Sequence, residues 1–526
     1  MKKTKWINKH YIYALCMCVI TFVSCTDLEI EETDSIITEE GIFTGLADVS
    51  NSLDGLYSDI YSQLETQESL FALNEVTSDA LIVPTRGTDW GDNGVWRQLH
   101  AHNWSSTHLF IFNTWNNLNQ NVLRATEIID PLSEGSAQEV AEARFLRAFN
   151  MYFVLDLWGI APFRNPTDGN DVLPSVFSTQ EAYDFILNDL QEALPDLPNN
   201  GPGANPTKAS KAAANFLLAK IYLNANRYKG TSDFSTEDMQ NVVDAVDAIE
   251  DAGYGLQSGY FELFGPENDV ETVWAVSTGI GPRVWNTLHY NQNDPRDGEN
   301  NGGGWNGFST LAEFYDSFDG DSETNFPGDA EDERRGFVPV TEEDNDFGNK
   351  DLFGIGLGFL VGQQYDGDGS ALTDRNGNPL VFTRDFPGLI GNNERTGIRV
   401  IKYHPGISGT SFFPYQIMFR YADAHLMKAE AMLRMGSDIT GMVNELRSLR
   451  QADDLDNVDL DELLAERGRE LYIEYWRRND LVRFGKFTDD WEFKDPASVG
   501  DPNRNLFPIP SNALVTNPNL TQNPGY

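Results

Sequence analysis

From about residue 255 to residue 414 the chain stops repeating every three or four residues and becomes rich in Gly, Asn, Asp and Pro. That break constrains everything else. A compact protein seldom carries so long a stretch without regular structure unless the stretch has a task. The segment therefore reads as a large irregular face with short strands, expected at 272–276 and 397–403. Its flanks are helical. Leu146, Phe149, Phe153 and Leu157 put one apolar stripe on a helix over 138–157, ended by Pro162 and Pro166. Tyr183, Ile186, Leu190 and Leu194 mark a second helix, stopped by Pro195 and Pro198. The Ala-rich stretch 208–224 is a third, with Ala212, Ala213 and Ala214 permitting close helix approach. Val242, Val246 and Ile249 mark a fourth, closing at Gly253. Beyond the break, helices return over 418–435, 441–450 and 460–475. Helices in successive pairs, each burying its stripe against the next, predict a mainly α fold of tetratricopeptide-like hairpins. No clean repeat of about 34 residues is visible, so the pairs are degenerate.

Of the 526 residues, 40 % are hydrophobic and 12 % aromatic, enough for a sizeable core and too many for wholesale disorder. The 81 acids against 38 bases leave a net charge of −43, which argues against nucleic acid or an anionic lipid surface as a partner. All three cysteines, Cys16, Cys18 and Cys25, sit at the N-terminus, so the body has neither a disulfide framework nor a Cys-ligated zinc site. Lys2, Lys3, Lys5 and Lys9 precede an apolar run over 11–23, then Ser24 and Cys25. That order is a secretory signal peptide, and the run falls short of the roughly 20 apolar residues of a membrane span. Residues 26–34 are polar and acidic, suited to a solvated tether.

Phe22-Val23-Ser24-Cys25 resembles a bacterial lipobox, in which cleavage leaves a lipidated Cys25 as the first residue; Phe22 stands where leucine is usual. Four further blocks resemble signature helices of the SusD/RagB family. These are Ala143-Arg144-Phe145-Leu146-Arg147-Ala148-Phe149 with Leu157-Trp158-Gly159, then 213–223 with Tyr254-Gly255-Leu256 and Phe264, then Phe419-Arg420-Tyr421-Ala422-Asp423-Ala424, then Glu466-Arg467 with Asp480-Leu481-Val482-Arg483-Phe484-Gly485. The ending Phe507-Pro508-Ile509-Pro510 and Gln522-Asn523-Pro524-Gly525-Tyr526 resembles the family's C-terminus. His425, Lys428 and Tyr475-Trp476 depart from the pattern, within the scaffold. The resemblance implies a lipid-anchored protein exposed on the outer membrane, without catalytic activity. It would capture a glycan and sit as a lid over a SusC-like TonB-dependent transporter. The chain then divides into a signal peptide (1–24), a lipidated tether (25–40), an N-terminal helical part with an early binding loop (41–254), the irregular ligand-binding region (255–414) and a C-terminal helical part with its tail (415–526). A surface glycoside hydrolase and a helical-repeat scaffold for protein partners are the alternatives.

Glycan recognition needs flat aromatic faces against sugar C–H groups and planar polar side chains for the hydroxyls. Trp90 lies between Gly87 and Gly91 beside Asp89, after Val83-Pro84-Thr85-Arg86, and has little nearby to bury against. Trp305, within Gly302-Gly303-Gly304-Trp305-Asn306-Gly307, is the second candidate. Trp96, Trp285, Asp89 and Arg86 complete the expected set, with Tyr290 just downstream of Trp285 and Arg384 and Arg399 as weaker candidates. Asp79 serves equally as a hydroxyl acceptor or a turn cap. Trp104 and Trp115, among apolar neighbours, are assigned to the core.

His100 and His102 lack a third ligand at metal spacing and read as structural. The loops starting at Asp319 and Asp366 begin like calcium loops, but Thr324 and Ala330 in one and Gly377 in the other break the pattern. No cofactor is expected, and an irregular calcium site is all those loops leave open. No nucleophile elbow, zinc-protease or Walker motif occurs. The charged run Glu466, Arg467, Arg469, Glu470, Glu474, Arg477, Arg478, Asp480 and Arg483 reads as ion pairing within the scaffold. So acidic a chain repels polyanions, which favours a neutral glycan, and the stretch 75–104 resembles that of family members that bind β-glucans or fructans.

Overall fold

Ser136 and Glu139 form a reciprocal capping box that starts a 22-residue helix, and Gly159 (φ 74°) ends it in the left-handed conformation. This is one element of a computed structural model that describes residues 43–169, 171–265, 269–277, 286–292, 304–320, 332–337, 355–366, 370–403 and 415–526. The signal peptide, Cys25 with its expected lipid, and Trp285 lie outside the described residues. So do residues 321–331 and 367–369 of the acidic loops.

The first half is helical: α1 (Val49–Glu65), α2 (Leu70–Glu75), α3 (Val95–His100), α4 (Leu109–Ile129), α5 (Ala137–Trp158), α6 (Thr179–Ala193), α7 (Lys211–Leu223) and α8 (Thr236–Asp251). Successive helices pack as pairs, α4 on α5, α5 on α6 and α7 on α8. A second capping box at Ser178 and Glu181 opens α6. The expected stripe on α5 proves too narrow. The helix is buried nearly all round, because its polar residues find partners inside: Arg147 on Asp189 at 2.6 Å, Asn150 on Asn121 at 3.1 Å, and Asp156 on Arg478 at 2.8 Å.

After the irregular region come α9 (Tyr421–Arg434), α10 (Thr440–Leu449), α11 (Leu460–Leu471) and α12 (Arg477–Arg483). Two expected helices are shorter than their patterns. Residues Gln416–Arg420 form a strand, antiparallel to Thr272–Val276 with Trp274 opposite Phe419. A run buried at every position suits a central strand as well as a helix, and pairing decides it. The last helix stops at Leu471, with Ile473 (φ 55°) and Tyr475 (φ 78°) left-handed. That turn aims Glu470 and Glu474 at one guanidinium, Arg420, at 2.6 and 2.8 Å.

The strands of the irregular region are short. Gly336–Phe337, Leu357–Leu360 and Arg399–Ile401 make one antiparallel sheet, and Gly362–Gln363 pairs with Val381–Phe382. Among the described residues no helix is long and apolar enough to cross a membrane.

Candidate functional site

The site grows from one loop. Arg86 and Asp89 exchange both backbone hydrogen bonds, at 2.9 Å each, around Gly87 (φ 58°), which makes a tight turn. Backbone bonds from Thr85 to Leu389 (3.0 Å) and from Gly87 to Asn392 (2.9 Å) tie it to the irregular region. Immediately beyond, Trp90 (58°), Asp92 (35°), Asn93 (52°) and Gly94 (84°) all have positive φ. Each non-glycine there costs about 1–3 kcal/mol, so the surroundings must impose the conformation.

What holds Trp90 is the middle segment. Its indole N–H donates to the backbone oxygen of Trp305 at 2.6 Å. Its ring lies so close to Gly307 that a Cβ there would stand 2.2 Å from Cζ2; only glycine fits. Edge-to-face contacts to Phe308 (5.6 Å, 85°) and Trp96 (5.7 Å, 60°) complete the seat. Trp305 itself projects outward, 62 % exposed. Asn306 (φ 57°) anchors the segment: its amide donates to the Glu394 carbonyl at 2.9 Å and accepts from Arg399 at 2.7 Å. Residues Ile82 and Ser309 exchange backbone bonds at 2.8 and 2.9 Å. Two segments 215 residues apart thus meet at the Trp90 indole.

Beside Trp90 runs a polar chain. The Asp89 carboxylate accepts from the Tyr290 hydroxyl and from Arg375, each at 2.8 Å. The Arg375 guanidinium lies 3.8 Å from the Tyr290 ring centroid and donates through Nε to Glu394 at 2.6 Å. Glu394 in turn accepts from His289 Nε2 at 3.1 Å, while His289 Nδ1 accepts the Asn291 N–H at 3.1 Å. Burial pushes Asp89 up, but the Tyr290 hydroxyl and Arg375 outweigh it and hold the carboxyl below its ordinary range. Glu394 follows the same pattern through the Arg375 amide and guanidinium. Burial, with the Arg399 charge, lowers His289 to about 4, so it is neutral at pH 7. Asp89, Arg375 and Glu394 together carry one net negative charge.

Several expected contacts lie elsewhere. Trp96 is buried at 3 % exposure against Phe110 and Phe308, its N–H donating to Asp92 at 2.9 Å, so it supports Trp90 from below. Arg86 is buried too. Its guanidinium donates to Ser309 Oγ (2.8 Å) and the Asn393 carbonyl (3.1 Å), stapling the loop, and burial lowers it to about 9. Arg399 meets the same Ser309 oxygen at 2.9 Å. Both Asp79 oxygens go to Arg477 on α12, at 2.7 and 2.5 Å, which makes Asp79 a scaffold residue. Arg384 pairs with Asp316. Trp104 and Trp115 are buried in the core.

Arg375 and Glu394 escaped the sequence reading. The only local signal was the Asp374-Arg375-Asn376-Gly377 turn, which Asp374 caps through the Asn376 and Asn378 amides at 2.9 Å. That signal marks a tip; it does not name the partners.

His100 points its ring nitrogens at the Leu81 and Glu492 carbonyls (3.3 and 2.9 Å), and His102 Nε2 faces the Thr77 carbonyl at 2.7 Å, so the pair does not converge on a metal. Among the described residues no group of three or more His, Cys, Asp or Glu could hold a metal ion. Asp319 pairs with Arg447 at 2.6 Å.

Paired helices carrying an irregular region with an exposed tryptophan define a helical-repeat fold. Two family models match in order along the chain, "Starch-binding associating with outer membrane" over residues 29–223 and "SusD family" over residues 270–526. The chain belongs to the SusD/RagB family. It is similar over its full length to the starch-binding protein SusD of Bacteroides thetaiotaomicron, at 28 % identity and with all of both chains covered. A SusD-like protein of Formosa agariphila, P25, is 23 % identical over 98 % of each chain. Among solved structures, a laminarin-binding SusD-like protein superposes with a TM-score of 0.65 at 18 % identity, covering 92 % of this chain and 100 % of that one. A surface glycan-binding protein A from B. thetaiotaomicron, in complex with laminarihexaose, gives 0.62 at 16 % identity, covering 90 % and 98 %. At these identities the superpositions establish the fold.

Proposed function

We propose that the protein is a non-catalytic, lipid-anchored glycan-binding protein of the outer cell surface. It captures neutral oligo- or polysaccharide on Trp305 and Trp90 and delivers it to a SusC-like TonB-dependent transporter. The observation that carries this reading is the hydrogen bond from Trp90 to the Trp305 backbone beside an indole left 62 % exposed. An exposed indole next to the anchored Asn306 is available to stack on the C–H face of a sugar ring. The starch-binding relative and the laminarihexaose-bound neighbour support a glucan. Arg375, the cation at the platform, is already balanced by Asp89 and Glu394, which supports a neutral ligand. The anchor rests on Cys25 and the acidic tether that follows it.

The hydrolase alternative needs a carboxylic acid that keeps its proton at neutral pH. Asp89 and Glu394 are both held below the ordinary range on one guanidinium, the opposite requirement. The protein-scaffold alternative expects Trp90 and Trp305 buried and apart, against the arrangement found. Affinity electrophoresis on laminarin, starch, fructan and alginate tests the proposal. Trp305→Ala is expected to cost about 2 kcal/mol, roughly thirtyfold in affinity, on the neutral polymer bound. Retention of alginate alone, or reducing sugar released by purified protein, would refute it.

A further inference from the structure

We infer that the Trp90 loop has a second working side, a subsite for further units of the same glycan chain; this rests on the function proposed above. A groove of about 580 Å³ opens beside the loop, lined by Asp92, Asn93, Gln98, Ser105, Thr107 and Leu109. Its size is within the range of about 300–1,000 Å³ typical of small-ligand sites. Trp96 forms part of its wall and stands one ring from Trp90, with centroids 5.7 Å apart. Asp92 and Asn93, two and three residues beyond Trp90, also line the groove, so it flanks the same loop that carries Trp90.

The lining suits sugar. Leu109, the first residue of α4, is held 52 % exposed, and with Val95 it offers an apolar strip for C–H faces. The amides of Asn93 and Gln98 make no hydrogen bond among the described residues, leaving planar donors and acceptors for hydroxyls. Asp92 spends Oδ2 on the Trp96 indole at 2.9 Å and keeps its other oxygen as an acceptor. Glu68 faces the same groove, and burial with the Asp92 charge raises its pKa, the mark of a site already crowded with negative charge. Uronic or sulfated units are disfavoured here as on the platform. The left-handed backbone at Asp92 and Asn93 gives the loop its abrupt reversal after Trp90.

The test is isothermal titration of the full chain with β-glucan, α-glucan and fructan oligosaccharide series from three to about twelve units. The N93G/Q98A double variant, in which glycine keeps the left-handed backbone of position 93 (φ 52°), is expected to leave trisaccharide affinity unchanged. On the longest members of the series that binds, it is expected to weaken binding about tenfold, the equivalent of two lost neutral hydrogen bonds. Equal affinity at every length, or an equal loss at every length, overturns the subsite. Trp305→Ala separates the two readings. If it abolishes binding while N93G/Q98A changes nothing, the subsite alone falls; if the wild type binds no series at any length, both fall.

Discussion

Gly307→Ala separates the presence of the Trp90 ring from its placement. The added Cβ would stand 2.2, 2.3 and 2.6 Å from three carbons of the indole, against the 3.4 Å or more of an ordinary contact. The ring must retreat by about 1.2 Å, because Gly307 is itself held by a backbone bond to the Asn286 carbonyl at 2.7 Å. The indole N–H···O bond to Trp305 starts at 2.6 Å and is spent once the distance passes about 3.2 Å. Losing it costs about 1 kcal/mol. Losing the two edge-to-face contacts, worth about 0.5–1.5 kcal/mol each, brings the total to about 2–4 kcal/mol.

Part of that loss appears as stability and part as affinity, since a displaced Trp90 no longer presents the surface continuous with Trp305. The variant is expected to melt a few degrees low, stay folded, and bind the neutral glycan about tenfold more weakly. Trp90→Ala sets the full loss for comparison. Titration calorimetry with the glycan selected on the panel, alongside a thermal melt, reads both quantities. Wild-type affinity in Gly307→Ala would show that the seat of Trp90 is irrelevant to binding. The reasoning would then fail even if Trp90→Ala were impaired.

Arg375→Ala frees Asp89 and Glu394 and uncovers the Tyr290 ring. Because the guanidinium is about half exposed, the stability loss should stay under about 1 kcal/mol while glycan affinity falls severalfold, read by paired melts and titrations. Acid should destabilise the fold in two stages. Burial lowers the His289 pKa to about 4, so its contribution is complete above the ordinary value of 6.5 and is lost as pH falls from there through 4. For Glu466, burial raises the carboxyl but Arg334, Arg469 and Arg447 outweigh it and hold it at about 2, so that contribution is lost from about 4.5 downward. Protonating exposed carboxylates relieves some of the −43 charge over the lower window. The buried pairs should win nonetheless, at about 3–5 kcal/mol for each one broken. Calorimetric melting temperatures that rise from pH 7 to pH 4 would refute this ordering.

The helices were legible because their signals are local: a capping Ser, an apolar residue every third or fourth position, a closing Gly or Pro. The strand Thr272–Val276 was legible for the same reason, as a short apolar β-branched run. Met418 and Phe419 misled because five consecutive buried residues carry no period, and only the partner strand distinguishes the two conformations. At the site, glycines flanking Trp305 announced a ring the chain cannot wrap, and it is exposed. Trp96 carried a similar polar neighbourhood but lies in the first turn of a helix whose inner face meets Phe110, a contact 14 residues distant. Arg375 was invisible for a deeper reason. Its role exists only through Asp89, 286 residues away, and Tyr290, and no local pattern encodes that meeting.

What fixes such long-range meetings is charge buried under the irregular region. Arg334, with no exposure, donates to Asp332, Glu466 and Glu470 at 2.6–3.0 Å. Glu271, at the foot of the strand Thr272–Val276, accepts from Arg420 and Arg450 at 3.1 and 2.9 Å. Lys402, just past Arg399–Ile401, reaches Glu474 at 2.5 Å and the Tyr472 carbonyl at 2.8 Å. Two of these segments thus end on residues 466–474, the stretch that closes α11 and turns beyond it, and the third reaches Glu470 through Arg420 and Arg450 at 2.6 and 3.0 Å. Apolar side chains there would bury area more cheaply but tolerate sliding, since hydrophobic contact is non-directional. A guanidinium without its carboxylate leaves a buried charge unpaired, at a cost of several kcal/mol, so each segment has one tolerable position. The charged run that resembles catalytic machinery is therefore the fixture from which Arg399, Asn306 and finally the Trp305–Trp90 face take their registration.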